Sequence, residues 1–139
     1  ADKQSSAAWA IHFDELGMMW FGGSGGLVKF DGRKCAWLHD EKGLPRFRIW
    51  DIAQSRNGIL WLGTETHGLV GYDGTNYTTI DTRDGLAGKD VRTVAIDTAG
   101  QIWAGTEDGG LTCYRRSAHR PGIRRADSRT RDRVHRTGV

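Results

Sequence analysis

Three residues carry the clearest chemistry in this chain. Trp9, Trp50 and Arg92 stand 41 and 42 positions apart, each two residues before a β-branched aliphatic: Ile11, Ile52 and Val94. Flat aromatic rings stack on sugar faces, and a guanidinium can hold a carboxylate or sulfate through two parallel hydrogen bonds. Residues of these types at one repeated place suit a ligand platform. The competing role is packing between repeated units, which tryptophan commonly takes.

Little else in the chain suggests reaction chemistry. No Gly-x-Ser-x-Gly occurs, and Gly23-Ser24-Gly25 reads as a tight turn. His12, His39 and His67 are isolated in sequence, whereas a zinc site wants clustered ligands. The glycine-rich stretches lack the Gly-Lys-Ser/Thr of a phosphate loop. Asp31, Asp73 and Asp108 each precede glycine and read as turn formers. Cys35 and Cys113, 78 positions apart, read as two free, partly buried thiols. No cofactor, metal or catalytic group is expected.

The elements that position Trp9, Trp50 and Arg92 come from an internal repeat. Trp20, Trp61 and Trp103 each open a Trp-x-Gly pattern closed by Gly22, Gly63 and Gly105. Gly26, Gly68 and Gly110 follow at steps of 42, each with a leucine after it, and Phe30, Tyr72 and Tyr114 keep that step. One residue is missing between Trp20 and Gly26, as in a shortened turn. The runs between the glycine turns are four to seven residues long, which predicts antiparallel hairpins near 9–13, 18–22, 26–30, 35–38, 49–53, 59–63, 68–72, 76–80, 91–96, 101–105 and 110–114. Four short strands at this period are the arithmetic of a β-propeller blade. In Leu60-Trp61-Leu62-Gly63 both faces of the strand are apolar, so burial between stacked blades is expected.

The stretches Asn57-Gly-Ile-Leu-Trp-Leu-Gly-Thr64 and Gly68-Leu-Val-Gly-Tyr-Asp-Gly74 resemble the two-component regulator propeller repeat. Asp84-Gly-Leu86, Val91 to Asp97, Ala99 to Thr106 and Gly109-Gly-Leu111 continue the resemblance, which covers about residues 8–114. The first copy departs from it, with Phe21-Gly-Gly23 in place of the usual Gly-Thr. WD repeats fit less well, because Trp50-Asp51 occurs once and in the wrong strand; Kelch repeats have a longer period. The resemblance implies a bacterial sensor whose propellers lie outside the inner membrane, with a histidine kinase or diguanylate cyclase in the cytoplasm. It implies ligands such as oligosaccharides, and partners in the remaining blades of the parent receptor. A homodimer is a further expectation; specific nucleic-acid binding is not. The rival readings are a fragment of a propeller lyase or hydrolase, and a protein-interaction scaffold.

Composition divides the chain. The net charge of +3 averages an acidic body with a basic end. Residues 1–114 hold 11 Lys and Arg against 15 Asp and Glu, and residues 115–139 hold nine Arg, no Lys and two Asp. The end segment is too poor in apolar residues to offset its ordering entropy, and Pro121 opposes a ladder strand. The expected fold is therefore all-β: a partial β-propeller of two four-stranded antiparallel blades plus most of a third, with a disordered C-terminal tail. The expected units are about 8–47, 48–90 and 91–114, within a repeat region 1–114, followed by an irregular Arg-rich segment 115–139. The abrupt change at Arg115 is what a shifted reading frame or a fragment edge would produce. A closed propeller needs roughly 4–8 blades, so the chain is expected either to be a piece of a larger receptor or to assemble in copies. With no run approaching the ~20 apolar residues of a membrane helix, none is predicted.

Overall fold

The computed structural model describes residues 7–117 and 120–124. Among them the chain forms three antiparallel sheets, each a meander of consecutive strands. The first holds β1 (Ala8–Phe13), β2 (Met19–Gly23), β3 (Gly26–Phe30) and β4 (Cys35–Trp37). The second holds β5 (Ile49–Gln54), β6 (Leu60–Thr64), β7 (Leu69–Tyr72) and β8 (Tyr77–Ile80). The third holds β9 (Val91–Ile96), β10 (Ile102–Thr106) and β11 (Gly110–Ser117), with β12 (Arg120–Arg124) beside the end of β11. This is the expected partial β-propeller: two four-stranded blades and most of a third. The only helical elements among the described residues are single turns, α1 (Leu38–Glu41) and a 3-10 turn at Thr82–Asp84.

The turns account for the strand lengths. Gly23 pairs with Gly26 across a two-residue loop, which is where the first repeat is one residue short. In the other two units a threonine closes the same turn. Thr64 Oγ1 donates to the Gly68 carbonyl at 2.7 Å, and Thr106 Oγ1 donates to the Gly110 carbonyl at 2.7 Å. Gly23 stands where this threonine would be in the first unit, so that turn is closed by shortness instead.

Stacking of the sheets makes the core. Trp20, Ile49, Ile52, Leu60, Leu62, Val70 and Tyr72 belong to one buried cluster between the first and second units. Trp61, Val91, Val94, Ile102, Ala104 and Tyr114 belong to the second, between the second and third. Side chains alternate along β6, so Leu60 and Leu62 face backward while Trp61 faces forward, and β6 is buried on both sides. Each forward tryptophan meets the tyrosine of the next unit: Trp20 lies edge-on to Tyr72 at 6.5 Å, and Trp61 lies 5.4 Å from Tyr114. Trp103 is half-buried on the forward side of the third unit.

Glycine permits the close approach. A Cβ at Gly63 would sit 2.7 Å from the Val91 carbonyl oxygen and 3.1 Å from both the Val91 and Val94 side chains. A Cβ at Gly22 would sit 2.6 Å from Ile49 Cγ2. The Trp-x-Gly pattern thus places an aromatic and a gap on the same face, two residues apart.

The end of the chain differs from the sequence expectation. β11 continues past Tyr114 to Ser117, and β12 pairs with this extension through Arg115 with Arg124, Arg116 with Ile123 and Ser117 with Arg120. Pro121 and Gly122 fall inside the register shift of that pairing, on an outer strand, where a missing N–H breaks no ladder bond. The irregular segment expected over 115–139 therefore does not begin at Arg115. Over Leu111 to Tyr114, where the second unit pairs β7 with β8, β11 has no outer partner among the described residues. Residues 125–139 of the expected tail lie outside the described residues.

One polar contact breaks the symmetry. Trp20 Nε1 donates to Asp14 Oδ2 at 3.0 Å, and Trp103 Nε1 donates to Asp97 Oδ2 at 2.9 Å. The equivalent residue of the second unit is Ser55, and the buried Trp61 Nε1 has no partner. The Trp103 indole, followed by the Gln101 amide, holds the Asp97 carboxyl below its ordinary pKa. Burial opposes the same shift at Asp14, but the Trp20 indole and the Met18 and Leu16 amides outweigh it.

Gly63→Ala should destabilise the chain by about 1–3 kcal/mol, because the new methyl meets backbone of the next unit that cannot rotate away; a lower urea midpoint checks this. Ser55→Asp should raise the urea midpoint, by about 1 kcal/mol of stability, through a bond to the Trp61 indole; Ser55→Ala should not. Because the folded pKa values of Asp14 and Asp97 are depressed, their contribution is full above the unfolded value of about 3.9 and is lost as pH falls through the lower folded values. The melting temperature should accordingly drop in that acid range and do so less steeply in the double variant D14N/D97N.

Candidate ligand face at the start of the inner strands

The first strands of the three units, β1, β5 and β9, lie side by side. Each carries a β-bulge at its start. Ala8 pairs with Gly23 and Ala10 with Gly22, leaving Trp9 as the extra residue. Ile49 pairs with Thr64 and Asp51 with Gly63, leaving Trp50. Val91 pairs with Thr106 and Thr93 with Gly105, leaving Arg92. A bulge turns its extra side chain out of the alternation and re-aims it. The three residues singled out in the sequence are thus the three bulged residues of consecutive inner strands.

Re-aimed in this way, they form one column. The Trp9 and Trp50 rings stack with centroids 4.3 Å apart and planes 20° from parallel. The Arg92 guanidinium lies 4.1 Å from the centre of the Trp50 ring, and that of Arg48 lies 5.3 Å from the Trp9 ring. Each stacked pair contributes on the order of 1 kcal/mol beyond simple burial. Packing and exposure coexist here: the rings contact one another, yet Trp9 remains 36% exposed.

Acidic residues surround the column. Asp90 accepts from Trp50 Nε1 at 2.9 Å, from Arg92 Nε at 2.9 Å and from Arg92 Nη2 at 3.1 Å. Glu107 lies 3.7 Å from Arg92 Nε, and Glu65 pairs with Arg48. The Asp90 hydrogen bond, then the charges of Asp90, Glu107 and Glu65, hold the Arg92 guanidinium above its ordinary pKa against partial desolvation. Backbone bonds fix these groups beside the bulges: Glu65 N donates to the Arg48 carbonyl and Glu107 N to the Asp90 carbonyl, both at 2.9 Å.

The Nε–Nη2 edge of Arg92, expected to be available for a carboxylate or sulfate, is taken by Asp90. Sequence reasoning missed Arg48, Glu65, Asp90 and Glu107. Their signal was present in the period: Arg48 and Asp90 stand 42 apart, as do Glu65 and Glu107, each two residues before a bulge or one after a turn threonine.

The structural repeat residues lie away from this face. Trp20, Trp61, Trp103, Gly63 and Gly105 sit on the second strands, and Gly68 and Gly110 at the turns into the third. His12 Nε2 shares a 2.9 Å hydrogen bond with Gln54 Oε1 of the next unit, and His39 Nε2 accepts from Arg46 Nε at 3.1 Å. Among the described residues no three His, Cys, Asp or Glu side chains gather to hold a metal, and both cysteines are free. No helix of the described residues is long and apolar enough to cross a membrane.

Comparison with known proteins agrees with this architecture. The family described as two component regulator propeller matches residues 46–66, which hold β5, β6 and the bulge at Trp50. No curated protein matches the chain in sequence. The extracellular domain of a protein assigned as a hybrid two component system, BT3049 of B. thetaiotaomicron, superposes with a TM-score of 0.69 at 22% identity, over 91% of this chain and 17% of that one. A second such extracellular domain, BT4673 of the same organism, gives 0.67 at 24% identity, over 88% and 18%. Virginiamycin B lyase from Staphylococcus aureus gives 0.57 at 13% identity, over 87% and 45%, a likeness of fold alone. The chain therefore spans under a fifth of the length of the receptor domains it matches. Residues 46–66 thus match the two component regulator propeller repeat, and the three sheets of the chain have the fold of consecutive propeller blades.

Proposed function

We propose that the chain is a ligand-sensing segment of an extracytoplasmic two-component receptor, and that Trp9, Trp50 and Arg92 form part of its ligand face. The observation that carries this is the column itself. Three consecutive inner strands each spend a bulge on aiming one stacking side chain at the same end of the blades, where Trp9 stays partly open. A core built only for packing needs no bulge at that place.

The charges narrow the ligand. Two guanidiniums, Arg48 and Arg92, face three carboxylates, Glu65, Asp90 and Glu107. No cation of the cluster is left in excess for an acidic ligand, so the face suits a neutral, polar molecule with a flat apolar side, such as a neutral oligosaccharide. The remaining blades of a larger receptor supply the rest of the ring, and a membrane-linked output domain lies elsewhere in that protein. In this reading the segment binds its ligand without turning it over: Glu65, Asp90 and Glu107, the acids beside the rings, each face an arginine.

Tryptophan fluorescence titrated with neutral gluco-, xylo- and mannohexaoses should report saturable binding to at least one of them. Trp9→Ala should weaken it about tenfold or more, the worth of one stacked face. Oligogalacturonate should bind more weakly, and Asp90→Asn should narrow that gap by freeing Arg92. Equal affinity of the wild-type chain for neutral and acidic sugars would overturn the charge argument. New products on chromatography would establish an enzyme instead.

A further inference from the structure

The second unit carries another aromatic surface, one that the repeat does not require. Phe47, in the connection leading to β5, is buried in the core between the first two units. Two exposed rings stand edge-on against it. His67, from the turn between β6 and β7, lies at 5.1 Å, and Tyr77, at the start of β8, lies at 5.7 Å. Tyr77 keeps 44% of its surface open although both neighbouring units are in place. Lys89 and Gly109 hold the places of Phe47 and His67 in the third unit, and Cys35 holds that of Tyr77 in the first, so a blade forms without these rings.

The chain ties this surface to the column at two points. Phe47 directly precedes Arg48, whose guanidinium lies over the Trp9 ring. Glu65, which pairs with Arg48, stands two residues before His67, so their Cα atoms are within about 7 Å of each other. The turn also fixes the imidazole. The His67 amide donates to Thr64 Oγ1 at 3.0 Å, and the Thr66 hydroxyl shares a 3.1 Å hydrogen bond with His67 Nδ1. Nε2 is the ring nitrogen left without a protein partner among the described residues.

We propose that His67 and Tyr77 form a second subsite, which takes a further sugar ring of the same neutral oligosaccharide; this rests on the ligand reading of the column given above. The ligand is then a chain that runs outward over the second unit. It starts at Trp9 and Trp50 on the inner strands, passes the Arg48–Glu65 pair, whose charges cancel, and reaches the β6–β7 turn and the outer strand β8. The two rings offer aromatic surface to the apolar side of a sugar. His67 Nε2 and the Tyr77 hydroxyl offer hydrogen bonds to its hydroxyl groups. The site therefore selects for chain length, which the column alone does not.

Isothermal titration calorimetry of the purified full chain, with di- and hexasaccharides of the neutral gluco, xylo and manno series, tests this. In the series that binds, the hexasaccharide should bind about tenfold more tightly than the disaccharide. His67→Ala and Tyr77→Ala, both at exposed positions, should each cut that gain about fivefold, the worth of one ring contact. Trp9→Ala should weaken binding of both lengths. A wild-type chain that binds both lengths equally would overturn the second subsite and leave the column reading standing. So would variants that keep the full gain and lower only the urea midpoint, since that is the mark of rings that merely pack on Phe47. Weaker hexasaccharide binding in His67→Ala, with none in Trp9→Ala, would overturn the column and leave the outer surface as the site. No binding of any of these saccharides would overturn both.

Discussion

The approach of one inner strand to the second strand of the preceding blade governs the rest of this structure. That approach exists because Gly22 and Gly63 have no side chain where Ile49 and Val91 must lie. With the gap open, the flanking tryptophan reaches the tyrosine of the next blade, and the backward-facing leucines of β6 close the other side. The same approach brings β1, β5 and β9 side by side, near enough for Trp9 to stack on Trp50 and for Asp51 to bond the Val94 amide. The candidate site is therefore a consequence of blade spacing: widen the gap by one methyl group and the column must separate as well.

Much of this was legible in the sequence because a repeat reports equivalence directly. The period of 41 to 42 residues places eleven strands, and it puts Trp9, Trp50 and Arg92 at one structural place. What the period could not convey was backbone irregularity. Nothing in Ala8-Trp9-Ala10 or Ile49-Trp50-Asp51 marks a bulge by composition, since the extra residue is defined only by its partner strand. The ion pairs were hidden for a related reason. Arg48 and Asp90 occupy equivalent places with opposite charge, so a search for repeated residue types passes over them. Pro121 misled the reading because its effect depends on where it falls in the ladder, and it falls in a register shift.

Where the copies differ, the differences track local needs. Thr64 and Thr106 close a longer turn with a hydroxyl, whereas the first unit shortens the turn and dispenses with it. Asp14 and Asp97 serve both the turn amides and the tryptophan indole, whereas Ser55 serves only its own turn. The second unit offsets that loss with its burial. Gly71 lies under the Trp61 ring, so the ring settles against backbone where Lys29 sits over Trp20 in the first unit.

The polar surroundings of the column decide what kind of surface it is. Two stacked indoles with no charged neighbours would form a sticky apolar patch at the end of the blades. Here Asp90 satisfies the Trp50 indole and Arg92 together, and Glu65 fixes the arginine that lies over Trp9. Every charge nearest the rings is thus answered from within the protein, and orientation is held by backbone bonds at the strand starts. The column is therefore an ordered aromatic edge whose nearest charges are paired, so flat apolar area rather than charge dominates what this end of the blades presents.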